Sequence, residues 1–126
     1  MNNRITICAA GAVLLSFSGA AMAAQQEEVG YKAGALGLSA IVSGDYATAV
    51  HQLNAPGGAG AHDPARLINL GNAYAGMGRY GDAHAAYSAA YAAPAIDLTL
   101  ADGSVKSSRM IAREAMRRLP ASHAAR

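Results

Sequence analysis

The sequence predicts an all-α domain of two tandem helical hairpins, an α-solenoid fragment, closed by a C-terminal capping helix. Three observations predict it. Alanine, the residue with the highest helix propensity, supplies much of a chain that is 52% hydrophobic and 14% charged. Similar residues recur at a constant offset along the chain. Glycine and proline stand where hairpins of this length would turn or end.

The N-terminus predicts a secretory signal peptide over residues 1–23. Arg4 supplies a positive charge, Ile5 to Phe17 form an apolar run, and Ala21-Met22-Ala23 is a small-x-small cleavage site. We expect cleavage before about Ala24 and a periplasmic protein. The apolar run is too short for a stable membrane anchor, although a retained, uncleaved anchor is the alternative.

Composition excludes several classes of site. The one cysteine of the chain, Cys8, lies inside the predicted signal. After cleavage of that signal the chain would contain no cysteine, which excludes disulfides, thiolate metal sites and a cysteine nucleophile. The formal net charge of +2 is too small to indicate nucleic-acid binding. Residues 24–103 hold three basic and seven acidic side chains, whereas residues 104–126 hold six basic and one acidic, so the end of the chain is basic.

The recurrence has an offset of 34 residues. The coincident pairs are Leu36 with Leu70, Gly37 with Gly71, Gly44 with Gly78, Tyr46 with Tyr80, Ala49 with Ala83, and Leu53 with Tyr87. A glycine within the first helix of each hairpin lets the second helix approach closely. A glycine at the end of that first helix favours the turn.

On these residues the chain resembles the tetratricopeptide repeat (TPR) family. The match is better in repeat 2, residues 64–97, than in repeat 1, residues 30–63. In repeat 2 the family's signature positions are held by Leu67, Leu70, Gly71, Tyr74, Gly78, Tyr80, Ala83, Tyr87 and Ala90, with Pro94 one place early. The resemblance covers 68 of 126 residues and implies stacked hairpins with a concave groove.

The elements are expected in the following order. Helices are predicted over residues 26–42, 46–54, 64–77 and 79–93, with a flexible loop at 56–60 and Asp63 as an N-cap before Pro64. Residues 96–100 alternate with period two and are followed by Asp102-Gly103, so residues 96–107 form either a short β-hairpin or a plain loop. Ser107 or Ser108 should cap a final helix ending near Leu119, within a TPR-like domain of residues 24–119. Residues 120–126 form a frayed tail.

The resemblance implies that a peptide or protein partner binds the inner face of the first helices. The residues expected there are Tyr31, Leu38, Ile41, Ile68, Asn69 and Asn72. For Asn69, a hydrogen bond within or between repeats is the alternative. The groove itself is either open to a partner or covered by the stretch before Gly30 or by a second copy of the chain.

The last helix carries a basic stripe formed by Arg109, Arg113 and Arg117. A solvated helix face is one interpretation, and a site for an acidic partner or anionic lipid head groups is the other. Glu114 is expected to pair with Arg118.

Catalytic and metal-binding patterns are not found in the sequence. The histidines are scattered, and Ser88 has neither an elbow motif nor a neighbouring base in the pattern. We therefore expect no enzyme, no cofactor and no metal. The expected function is a periplasmic protein-binding module; the alternatives are a self-associating subunit, forming a homo-oligomer, or a peripheral membrane-surface protein.

Overall fold

The described part of the chain folds into five helices and one small antiparallel sheet. The computed structural model describes residue 31, residues 34–100 and residues 102–121. The elements are α1 (Leu38–Val42), α2 (Tyr46–Leu53), α3 (Pro64–Gly76), α4 (Tyr80–Ala92), β1 (Asp97–Thr99), β2 (Val105–Ser107) and α5 (Ser108–Arg118). The protein is therefore mostly helical, as expected. The predicted signal peptide and most of the predicted frayed tail lie outside the described residues.

Both helical hairpins turn through the same motif. Gly44 and Gly78 adopt left-handed φ angles of 77° and 74°. In each turn, the N–H of the glycine and the N–H of the next residue donate to carbonyl oxygens of the preceding helix. In the first turn, Gly44 donates to Ile41 at 3.1 Å and Asp45 donates to Ala40 at 2.9 Å. In the second turn, Gly78 donates to Ala75 at 3.0 Å and Arg79 donates to Tyr74 at 2.8 Å. This is the Schellman arrangement. Every partner in the second turn lies 34 residues after its counterpart, so the sequence repeat is also a repeat of backbone geometry.

The spacing of the two helices in each hairpin depends on a glycine in or beside the first helix. A Cβ atom placed on Gly71 would overlap the ring of Tyr87 in α4. A Cβ atom on Gly37 would lie 3.2 Å from the Ala49 carbonyl oxygen and 3.3 Å from Leu53 Cγ, both in α2. Since the two pairs are related by the repeat offset, the same close approach is used twice.

The predicted first helix, residues 26–42, is wrong over residues 34–37, which are not helical. A helix was expected to begin near residue 26, yet α1 begins at Leu38. Gly34 and Gly37 have φ angles of 80° and 59°, and the Gly37 N–H closes a turn on the Gly34 carbonyl at 3.1 Å. Left-handed residues interrupt a right-handed helix, so the alanine-rich stretch turns here instead of extending. The rest of that prediction lies outside the described residues.

The predictions for α2, α3 and α4 are confirmed to within one residue at each end. Asp63 caps α3 as expected, since its Oδ1 accepts from the Arg66 N–H at 3.0 Å. Asp45 caps α2 in the same way through the Thr48 N–H at 3.1 Å. An acceptor at this position satisfies one of the unpaired N–H groups of a first helical turn.

Arg66 fastens the loop between the hairpins, and the sequence analysis missed this role. Its guanidinium donates to the Leu53 carbonyl at 2.6 Å, to Asn54 Oδ1 at 2.9 Å and to the Ala61 carbonyl at 3.3 Å. The planar fork of arginine suits several acceptors at once. The glycine-rich loop is thus tied at both ends to the first turn of α3.

Of the two alternatives for residues 96–107, the structure shows the β-hairpin. Strands β1 and β2 pair antiparallel, with Asp97 opposite Ser107, Leu98 opposite Lys106 and Thr99 opposite Val105. Their Asp102-Gly103 turn closes through the Gly103 N–H on the Leu100 carbonyl at 2.9 Å. The hairpin delivers the chain directly into α5.

Helix α5 packs against the second hairpin as the expected terminal cap. Ala112 and Ile111 of α5 contact a cluster formed by Leu67, Ile68 and Ala90, and Leu98 of β1 joins it. Ser107 is the N-cap residue, as expected, but its side chain makes no capping hydrogen bond. The buried Ser108 hydroxyl accepts instead from the Ile96 N–H at 3.1 Å, which joins the start of α5 to the strand side of the hairpin.

Replacing Gly71 by Ala should lower the free energy of unfolding by about 1–3 kcal/mol, because the new methyl group meets the Tyr87 ring. The matched control is Gly81→Ala in α4, where nothing lies within 4 Å of an added Cβ. Ala there should raise stability by up to about 1 kcal/mol through helix propensity. Urea unfolding followed by circular dichroism measures both. Equal effects of the two changes would contradict the close approach.

Candidate partner-binding face

The six predicted groove residues divide into two groups. Leu38, Ile68 and Asn69 are buried, with exposed fractions of 5%, 4% and 5%. Tyr31, Ile41 and Asn72 are half-buried. The first three side chains belong to the interior of the described fold, so the partner-binding role predicted for them is wrong in this structure.

Asn69 joins the two hairpins. Its Nδ2 donates to the carbonyl oxygen of Leu36 at 3.0 Å. The alternative function considered for this residue, a hydrogen bond between repeats, is the one that the structure shows. A buried amide that lost this partner would carry a desolvation cost of about 1–3 kcal/mol.

The chain segment that precedes α1 covers the first turns of α3. The Tyr31 hydroxyl donates to Asp63 Oδ2 at 2.7 Å, and Leu36 reaches Asn69 two turns further along α3. Desolvation by burial, followed by the Asp63 hydrogen bond and charge, raises the pKa of Tyr31 to about 12. Ile68 is covered from the other side by the α5 cluster. Together these contacts close the N-terminal half of the expected groove.

The C-terminal half stays accessible, and we call it the turn-end face. It consists of Ile41 and Val42 of α1 and Asn72, Ala75 and Gly76 of α3, all of them half-buried or exposed. Ile41 packs on the cluster that contains Ala73 of α3, so the two helix ends are adjacent. Val42 is 51% exposed and follows the half-buried Ile41 in α1. An exposed apolar patch of this kind favours a partner contact.

Asn72 is the polar group of this face. Its Oδ1 accepts from the hydroxyl of Tyr87 at 2.7 Å, which fixes the side chain against α4. Among the described residues its Nδ2 donates to no group. The amide thus presents two N–H donors beside an apolar surface, an arrangement suited to a carbonyl or carboxylate oxygen of a partner.

Gly76 lets α2 approach the end of α3 closely. A Cβ atom on Gly76 would overlap the ring of Tyr46, which packs from α2 onto the end of α3. Sequence analysis missed Ala75 and Gly76 as site residues. The 34-residue offset could have identified them, because Ala75 and Gly76 are the counterparts of Ile41 and Val42.

A serine and a histidine meet on α4, contrary to the sequence analysis. Ser88 Oγ lies 3.4 Å from Nδ1 of His84 and 3.3 Å from Sδ of Met116. The four-residue spacing on a helix was the signal that could have found this pair. The contact is long for an O–H···N hydrogen bond, and no carboxylate among the described residues bonds the His84 ring. The pair therefore lacks the third group that orients a catalytic base.

Within the described ranges, no three His, Cys, Asp or Glu side chains come together in a way that could hold a metal ion. No helix in these ranges has the length and apolar character needed to cross a membrane.

Comparison with protein-family models, with curated proteins and with solved structures finds no match to this chain.

Tyr87 should make stability sensitive to alkaline pH. Burial raises its pKa from 10.0 to about 12, so the folded state favours the protonated phenol. That contribution is fully present below pH 10 and is lost as the pH rises through 12. Tyr87→Phe should therefore lose less stability than the wild type across this window.

At neutral pH the same variant should be less stable by about 0.5–1.5 kcal/mol, because Asn72 loses its donor. Tyr91→Phe, at an exposed tyrosine of the same helix, is the control. Chemical unfolding at a series of pH values measures these differences. A Tyr87→Phe profile parallel to that of the wild type would count against the burial of the phenol.

Proposed function

We propose that the chain is a small exported protein built on two TPR-like repeats and a capping helix. The Schellman turns, related by the same 34-residue offset as the sequence matches, support this class. The paired close approaches of Gly37 to Leu53 and Gly71 to Tyr87 support it as well. The predicted signal peptide supports an exported, periplasmic location.

The proposed function is binding of a peptide or protein partner, without catalysis, through the turn-end face. The observation that carries it is the exposed Val42 at the end of α1 together with Asn72 of α3, whose Nδ2 donates to no described group. The predicted whole-groove site is replaced by this smaller one because Leu38, Ile68 and Asn69 are occupied inside the fold.

The surface favours a partner segment with apolar side chains and an accessible backbone carbonyl. Val42, 51% exposed, offers apolar contact beside the half-buried Ile41. The amide of Asn72 supplies orientation, because an amide N–H left unpaired at an interface costs binding energy. A few such residues normally dominate the affinity of an interface.

The proposal is tested with peptides selected from a random display library on the full-length chain. Val42→Arg should weaken the selected peptides by about thirtyfold or more, as for loss of a dominant interface contact. Val42 is exposed, so this change leaves the fold intact. The matched control is Ala85→Arg, the same charge addition at an exposed position of α4, which should bind like the wild type.

Two outcomes would contradict the proposal. One is equal binding of the selected peptides to the Val42→Arg variant and the wild type. The other is failure of selection together with growth of the particle mass on concentration, measured by light scattering. The latter result would favour the self-associating subunit instead.

A further inference from the structure

The outer surface of α5 is basic and faces away from the fold. Ser108 and Ala112 are buried and mark the side of the helix that packs on α4. At about 100° per residue, Met110 and Arg117 lie on the opposite side, with Arg113 beside them. All three are exposed. We call these residues the basic face.

No described residue neutralises the charge of the basic face. Arg113 and Arg117 make no ion pair or hydrogen bond among the described residues. Glu114, the one acidic residue of α5, is held by Lys106 at 3.6 Å and by Arg118 at 3.8 Å. The carboxylate is thus shared by two cations and leaves the neighbouring arginines free to meet an external anion.

Apolar groups lie next to this charge. Arg109 donates through Nε to the carbonyl of Tyr91 at 3.1 Å, which holds the last turn of α4 against the first turn of α5. Tyr91 and Met110, one in each of these turns, are both 43% exposed. Exposed Tyr and Met beside arginines can settle at the boundary between lipid head groups and acyl chains.

We propose that the basic face docks the protein on an anionic phospholipid surface. Charge complementarity carries the assignment: the cations of the face are arginines, whose forked donors match phosphate oxygens. Met110, which is 43% exposed beside Arg117, fits shallow insertion. This site is separate from the turn-end face and does not depend on the function proposed for it.

The chain contains no tryptophan, so a single introduced indole reports on one surface. Met110→Trp places the probe on the basic face, and Met77→Trp places it at the end of α3, outside that face, at a side chain of nearly equal exposure, 42% against 43%. The full-length chain is titrated with phosphatidylcholine vesicles that contain or lack phosphatidylglycerol. The emission of M110W should shift to the blue with the anionic vesicles alone, and that of M77W should not.

Charge variants identify the residues responsible. In the M110W chain, Arg113→Gln with Arg117→Gln should weaken binding to anionic vesicles by about tenfold or more. Ala47→Glu with Ala85→Glu changes the net charge equally at exposed sites on α2 and α4 and should have a much smaller effect. Raised salt should abolish the shift, because it screens charges at a surface.

The proposal is overturned if M110W emission is unchanged by anionic vesicles, even when the chain sediments with them through another segment. It is also overturned if M77W shifts equally, or if the double glutamine variant binds as well as its parent. A shift with soluble polyglutamate and none with vesicles would assign the face to an acidic protein. The tryptophan probe is local, so attachment through the apolar run at residues 5–17 does not imitate the expected result.

Discussion

The ring of Tyr87 lies directly on Gly71, and the arrangement of the second hairpin depends on this contact. Any larger residue at position 71 would separate α3 from α4. The same ring ends in the hydroxyl that holds Asn72, so the helix spacing also positions the one polar group of the turn-end face. The platform formed by α3 and α4 in turn receives α5, whose Ala112 reaches the residues Leu67 and Ala90. The contact between Gly71 and Tyr87 therefore sets the spacing of α3 and α4, the position of Asn72 and the surface on which α5 packs.

An alanine-rich interior explains why the fold relies on such contacts. Ala49, Ala73, Ala83, Ala90 and Ala112 are the most deeply buried apolar residues. Each buries little area, and the hydrophobic free energy scales with area, so the helices must pack closely to gain dispersion energy. Glycines under Tyr46 and Tyr87 permit that packing while the two rings supply the larger apolar surfaces. Hydrogen bonds from Arg66 to Leu53 and Asn54 hold the loop between the hairpins, which has few apolar side chains of its own.

The sequence predicted the features that depend on neighbouring residues. Glycine at a helix end, Asp63 before Pro64 and the Asp102-Gly103 turn each specify local backbone geometry, and these were found. The start of α1 was missed because alanine content favoured a helix where Gly34 and Gly37 take left-handed angles. The burial of Ile68 and Asn69 was missed for a different reason. It depends on where residues 34–37 and α5 pass over α3, and a periodic pattern in one helix does not contain that information.

The measurement that tests this account most directly is a double-mutant cycle between positions 71 and 87. Gly71→Ala is made in the wild type and in a Tyr87→Leu background, which imitates the first hairpin, where Leu53 occupies the equivalent position. The account predicts a coupling of about 1–3 kcal/mol, with the alanine costly beside tyrosine and nearly neutral beside leucine. Additive effects on the free energy of unfolding would show that glycine 71 is not required by the ring, and would contradict the account.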